Sequence, residues 1–251
     1  MKRKTRLTAT EKELDSFMNS IINSITKSFL FGFNSHSATL KTLNDYNEEF
    51  KTKQSSKFSD DLIYTKLWGD SNRGILARFD KAQQLKFYTE VSGATGRSVE
   101  TLIENENLKT KQKDFITGQI MFIRSIIDKT LQDYSISAYT AISEGFTVKE
   151  ATKRIYQAKN INSNQARFRA RNIASTYQRM ITDARMTKVG VKTAIWKTSK
   201  DQAVRDSHAS LDGQEYEVLK GIYDKTTGNF IKPGTDYNCR CFSKPVFNFD
   251  E

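Results

Sequence analysis

The sequence predicts an α+β protein that is predominantly helical, with long N-terminal helices followed by a small C-terminal mixed α/β module. Three observations predict it. Apolar residues recur at three- and four-residue steps over two long stretches, the signature of helices with one buried face. Only two prolines interrupt 251 residues, while Lys, Asn, Thr, Ile and Ser are abundant. Beyond Gly190 the texture changes to "VKTAIWKTSKD", alternating and β-favouring, with Gly, Asp and Asn turns up to "PVFNF".

At this length the chain can bury a core without cross-links. Thr8 with Glu11, and Thr10 with Glu13, fit capping boxes that open a helix near Thr10. Leu14, Phe17, Met18, Ile21, Ile22, Ile25 and Phe29 then form one core-facing stripe. "SHSATLKTLNDYNEEF" reads as helical, "KTKQSSKFSDD" as a loop, and Gly93 and Gly96 as a turn with no nucleotide fingerprint. The strongest helix is predicted over 111–144, with Phe115, Ile116, Ile120, Ile123, Ile127, Leu131, Tyr134, Ala138 and Ile142 on one face. Gly145 ends it. Thr147 with Glu150 opens a short helix through about Lys159, "NINSN" makes a turn, and another helix follows with Ala166, Ala170, Ile173, Ala174, Tyr177, Ile181 and Ala184 on its apolar face. Two regions result: residues 1–110, an N-terminal helical region, and residues 111–251, divided into a helical part, 111–189, and a compact module, 190–251.

Charge is unevenly distributed. Lys and Arg outnumber Asp and Glu by 22 to 18 over residues 1–149 and by 12 to 2 over 150–200, whereas 201–251 carries 6 against 9. The excess therefore sits on one predicted helical surface. Arg167, Arg169, Arg171, Arg179, Arg185 and Lys188 are its candidate contacts to phosphates or to an acidic protein face. No apolar run approaches the roughly 18 residues of a membrane helix, and the basic start lacks the apolar core of a signal peptide. Cytosolic synthesis and no membrane partner are the expectation, and in a reducing compartment cysteines are thiols or ligands rather than staples.

The two cysteines, Cys239 and Cys241, lie one residue apart. Such a pair reads as half of a metal site that borrows a distant histidine, as a redox pair, or as two small residues packed in a strand. With His208 it offers zinc-type donors, but only three where a closed structural site has four. A packed, hydrogen-bonded cluster without a cofactor is the preferred reading, with zinc on His208, Cys239 and Cys241 as the alternative. Asp212 would orient the imidazole if Cys239 or Cys241 were a nucleophile. No Walker loop, HExxH or GxSxG is present, which argues against an enzyme. Trp196 fits the core of the module, Asp201 and Arg205 are spaced for an ion pair on one helical turn, and Asp212-Gly213 is a turn signal.

Trp196, Thr198, Asp201, Arg205, His208, Leu211, Asp212, Gly213, Pro233, Asn238, Cys239, Arg240 and Cys241 together resemble, in order, the pattern of Mu F-like minor head proteins of tailed phages, the head-morphogenesis proteins. "EGFTVKEATKRI" and "ARNIASTYQRMITDAR" are similar to the helices that precede it, so the resemblance covers about residues 115–251. It departs at Tyr177, where the family pattern has an acidic residue. The resemblance implies a structural, non-enzymatic protein of the virion, made in the host cytoplasm and placed inside the capsid near the portal. It implies as partners the portal protein, packaged double-stranded DNA and the major capsid or scaffolding protein. The competing implication is a toxin-like enzyme module, ADP-ribosylating or nuclease-like, built on His208, Cys239 and Cys241.

Overall fold

In the computed structural model, residues 8–36, 40–69 and 73–247 are described. Seven helices come first: α1 (Ala9–His36), α2 (Leu40–Lys57), α3 (Asp60–Leu67), α4 (Ile75–Thr95), α5 (Val99–Glu104), α6 (Lys109–Ser143) and α7 (Val148–Lys188). The C-terminal module then runs β1 (Thr193–Lys197), α8 (Asp206–Ala209), β2 (Glu215–Glu217), β3 (Ile222–Asp224), β4 (Asn229–Ile231) and β5 (Phe242–Val246). The chain is predominantly helical α+β, as its patterning predicts.

Two compact units result, and they do not follow the expected division near residue 110. Among the described residues, one comprises 11–74 and 116–170 and the other 75–115 and 171–247. Helices α6 and α7 contribute to both units, because each carries an apolar face long enough to serve two cores.

In the helical unit, Leu14, Met18, Ile22, Ile25, Phe29 and Phe33 of α1 are fully buried, as are Ile116, Ile123, Ile127, Tyr134 and Ala138 of α6. Phe29 packs against Phe33, Tyr46, Phe50 and Tyr134. The Tyr134 hydroxyl, carried into this core, is satisfied by Thr26 Oγ1 at 2.7 Å. Residues 51–57, predicted as loop, are helical instead. Phe50, Gln54 and Phe58 fall one turn apart and are all buried, so tertiary packing holds a stretch whose composition is polar. Ser59 then caps α3 by accepting from Leu62 N at 3.3 Å.

The end of α6 and the start of α7 follow their punctuation. Gly145 takes φ +72° and Phe146 N donates to Ala141 O at 2.8 Å, which closes the helix. Thr147 Oγ1 accepts from Glu150 N at 3.3 Å while Glu150 Oε2 accepts from Thr147 N at 2.8 Å, a reciprocal capping box. The helix it opens does not stop at Lys159. α7 continues for 41 residues through "NINSN", because the segment holds neither proline nor glycine and because Ile155, Asn162, Ala166 and Ala170 keep one face buried. Gly93, also predicted to break the chain, lies inside α4, and the left-handed Gly96 follows that helix.

The other unit is organised by a three-stranded antiparallel sheet of order β2-β1-β5, with β3 and β4 paired as a separate hairpin. β1 alternates: Ala194 and Trp196 point into the core while Thr193, Ile195 and Lys197 are half-buried. Opposite them stand Tyr216 of β2 and Ser243 of β5, whose hydroxyls meet at 2.6 Å. Phe87, Tyr88 and Val91 of α4, Leu102 of α5 and Met186 of α7 complete the core around Trp196, Leu211, Cys239 and Cys241. Among the described residues no helix is long and apolar enough to cross a membrane.

Candidate functional site

The motif residues occupy two loops of the C-terminal module, one between β1 and β2 and one before β5. In the first, Asp212 Oδ1 accepts from Thr198 N at 2.7 Å and from Thr198 Oγ1 at 3.1 Å. Gly213, at φ +87°, lets the chain turn back so that its N–H reaches Trp196 O at 2.8 Å. Between these anchors the short helix α8 directs His208 inward, where it is 2 % exposed. Trp196 covers it edge-on, with ring centroids 5.3 Å apart. The hydrogen bonds that Thr198 gives Asp212 hold the Asp212 carboxyl below its ordinary range.

In the second loop, Cys239 N donates to Asp236 O at 2.9 Å, and Asn238 adopts φ +59°, a left-handed conformation that asparagine tolerates. Asn238 N also donates to Asn172 Oδ1 of α7 at 3.3 Å. From there the chain is extended, so Cys239 and Cys241 face the core and Arg240 faces away. This alternation answers the spacing of the pair: one intervening residue is what puts both sulfurs on one side.

Both sulfurs converge on a single ring nitrogen. Cys239 Sγ lies 3.4 Å and Cys241 Sγ 3.8 Å from His208 Nδ1, while His208 Nε2 lies 3.0 Å from Asp236 Oδ2. Asp236 is the site residue that sequence reasoning missed; Asp212, which would orient the imidazole only in the nucleophilic reading, binds Thr198 within its turn. The turn in "GTDYNCRC", with Asp three residues before the first cysteine, was the available signal.

The electrostatics follow the contacts. Donation by Cys241, seconded by His208, favours a thiolate at Cys239 and lowers its pKa to about 4. Cys241 is pushed the other way, because its proton is held by the Cys239 thiolate and burial penalises its charge. The bond to Cys239 raises the His208 pKa against the opposing effect of burial. The contacts thus favour negative charge on the Cys239 sulfur and a proton on His208, with the Cys241 proton retained. Its donors suit two chemistries, nucleophilic attack by sulfur or ligation of a borderline-soft metal.

The remaining motif residues clasp the two loops together. Asp201 pairs with Arg240 rather than with Arg205, and its Oδ1 accepts from Ala203 N at 2.9 Å. Residues 201–205 form turns and not a helix, so the four-residue spacing brings no side chains together. Arg205 instead donates to Tyr237 O at 2.8 Å.

The six basic candidates all lie on α7 but in unlike surroundings. Arg167 is exposed and sits 3.2 Å from Asp15; Arg169 stacks over Phe122, its guanidinium carbon 4.5 Å from the ring centre. Arg171 is half-buried, Arg179 lies 3.7 Å from Asp183, and Lys188 is exposed. Arg185 cannot be a surface contact. Its side chain is 1 % exposed and bridges Asp80, at 2.8 Å, and Glu106. Tyr177 is buried among Phe79 and Phe115, and burial drives its hydroxyl pKa up, so this position serves packing here.

Comparison with known proteins agrees with this motif. An uncharacterized protein of Haemophilus influenzae is 27 % identical over 215 residues, which are 85 % of this chain and 44 % of that protein. The chain thus spans less than half the length of that relative. No solved structure matches it. Residues 135–243, which contain the whole clasp from Trp196 to Cys241, match the family described as phage Mu protein F like proteins. Over this segment, 109 of its 251 residues, the chain is similar to that family.

Proposed function

We propose that the protein is a structural minor head component of a tailed phage, which binds the portal and the packaged DNA inside the head and assists head assembly, packaging and ejection. The observation that carries the reading is the family match over residues 135–243, which spans the motif clasp in full. The basic balance of residues 150–200 supports a nucleic-acid contact, since sequence-independent binding needs only cations at phosphate spacing. Arg167 and Lys188, with the exposed Lys153 on the same helix, are the residues best placed to make it. Contacts to a major capsid or scaffolding protein belong to the same reading, with an acidic portal face as the rival destination of the basic helix. An enzymatic reading rests on the alignment of Cys239, His208 and Asp236, and burial of both sulfurs weighs against it.

The test has two arms on the full chain. Lys153→Glu, Arg167→Ala and Lys188→Glu are combined, and DNA retention is followed as salt is raised. Binding to DNA through these cations predicts weaker retention and a salt dependence shallower by about 0.9 for each phosphate no longer neutralised. Unchanged retention removes the DNA-binding role. Co-purification of the same variant with the portal protein then shows whether that interaction needs the basic helix.

A further inference from the structure

We propose that His208, Cys239 and Cys241 bind one zinc ion through Nδ1 and the two Sγ atoms, with Asp236 as the outer partner that orients the imidazole.

The geometry favours this over simple packing. Zinc bonds of about 2.3 Å to sulfur and 2.0–2.1 Å to nitrogen, at tetrahedral angles, put neighbouring donors roughly 3.6 Å apart for S and N, and 3.8 Å apart for two S. The two S-to-N separations here are 3.4 and 3.8 Å, and all three donor atoms lie within 4.8 Å of one another. Two edges of a coordination tetrahedron are thus laid out by the protein itself, with the second sulfur within reach of the first. A packed cluster needs only one sulfur on the ring nitrogen, because a single N–H serves a single strong acceptor. Here two sulfurs share it.

The second argument is the ring's other nitrogen. A histidine that ligates a metal through one nitrogen commonly gives its other N–H to a carboxylate, which fixes the tautomer and makes the ligand more basic. Asp236 Oδ2 is at 3.0 Å from Nε2, on the side away from both sulfurs. The carboxylate remains partly exposed while the three donors are buried, so the charge it carries stays hydrated.

The third is preorganisation. The bond from Arg205 to Tyr237 O and the ion pair of Asp201 with Arg240 hold the two loops together by contacts outside the cluster, while the anchoring of Thr198 by Asp212 shapes the first loop. Two sulfurs and an imidazole select zinc over magnesium or calcium, which take oxygen. Three side chains leave one tetrahedral vertex, which a water molecule fills. The two cysteines ligate as thiolates and the imidazole as the neutral ring, and the ion joins α8 to the segment that leads into β5. This holds whatever surface the protein docks on.

The experiment uses the full-length, tag-free wild-type protein. Elemental analysis is expected to find about one zinc per chain, removed by a chelator with a fall in the melting temperature. Cobalt(II) added to the apoprotein should give the intense visible bands of a four-coordinate site and thiolate-to-cobalt charge-transfer bands in the near ultraviolet. Because Cys239 and Cys241 are the only cysteines in the sequence, those bands identify the site even if Cys→Ser variants fail to fold. Asp236→Asn should keep the spectrum and weaken affinity by 10–100-fold. A folded wild type without zinc, whose cobalt spectrum is that of the hydrated ion, overturns the proposal.

Discussion

Arg185 Nη2 lies 2.8 Å from Asp80 Oδ1 inside the protein, with 1 % and 9 % of the two side chains exposed. Glu106 holds the same guanidinium through Nε, and Gln112 donates to the second oxygen of Asp80 at 2.9 Å. A residue that contributes to the most basic stretch of the sequence is thus paired with two buried carboxylates. Arg185→Met should cost about 3–5 kcal/mol in denaturant unfolding, because it leaves uncompensated charge in the core. The sign of the pH effect follows. Burial already raises the Asp80 pKa against the pull of Arg185. Losing the cation raises it further, and a raised carboxyl contributes stability at low pH that is lost as pH rises. The deficit of the variant should therefore shrink on acidification, and a deficit that grows there would refute the assignment.

The capping box of α7 makes the opposite pH prediction. The backbone N–H of Thr147, with its hydroxyl, lowers the Glu150 pKa below the ordinary 4.5. A lowered carboxyl stabilises above its unfolded pKa, and that contribution disappears as pH falls through the folded value. The melting temperature of Glu150→Gln should lie below that of wild type at neutral pH and converge with it under acid conditions. A pH-independent difference would mean that the carboxylate does not cap.

Continuity of α7 through "NINSN" is open to a proline test. Ser163→Pro should cost about 3 kcal/mol or more, since it removes an interior helical hydrogen bond and clashes with the preceding turn. Full stability in this variant would restore the turn that the local sequence suggests.

Gly221 and Gly228 provide an internal control in the hairpin. Both have positive φ, +89° and +69°. A Cβ on Gly221 would stand 2.5 Å from Ile231 O, a backbone atom, whereas one on Gly228 would meet nothing within 4 Å. Gly228→Ala should cost about 1–2 kcal/mol from conformation alone. Gly221→Ala should cost visibly more in the same unfolding assay, and equal losses would show that the close approach is relieved without strain.

Local signals were legible wherever local chemistry decides the structure. The stripe from Leu14 to Phe29, the helix over 109–143, the Gly145 stop, the Thr147–Glu150 box and the buried Trp196 each depend on residues within a few positions of one another. The boundaries that sequence reasoning missed are those where distant packing overrides composition, as at Phe50, Gln54 and Phe58, or at Asn162 inside α7. Polar residues there read as loop, and a buried face turns them helical.

The sequence by itself determined the helical class, the position of the C-terminal module, the family pattern and the residue types of the cluster, because periodicity, turn chemistry and ordered motifs are properties of the chain. Only the tertiary structure decided who meets whom. Asp201 is paired with Arg240 and not Arg205, Asp236 backs His208 in place of Asp212, and Arg185 is core rather than surface. Each of these pairings joins residues 28 to 105 positions apart, and at such separations the partner is set by how the buried faces pack, which no local spacing encodes.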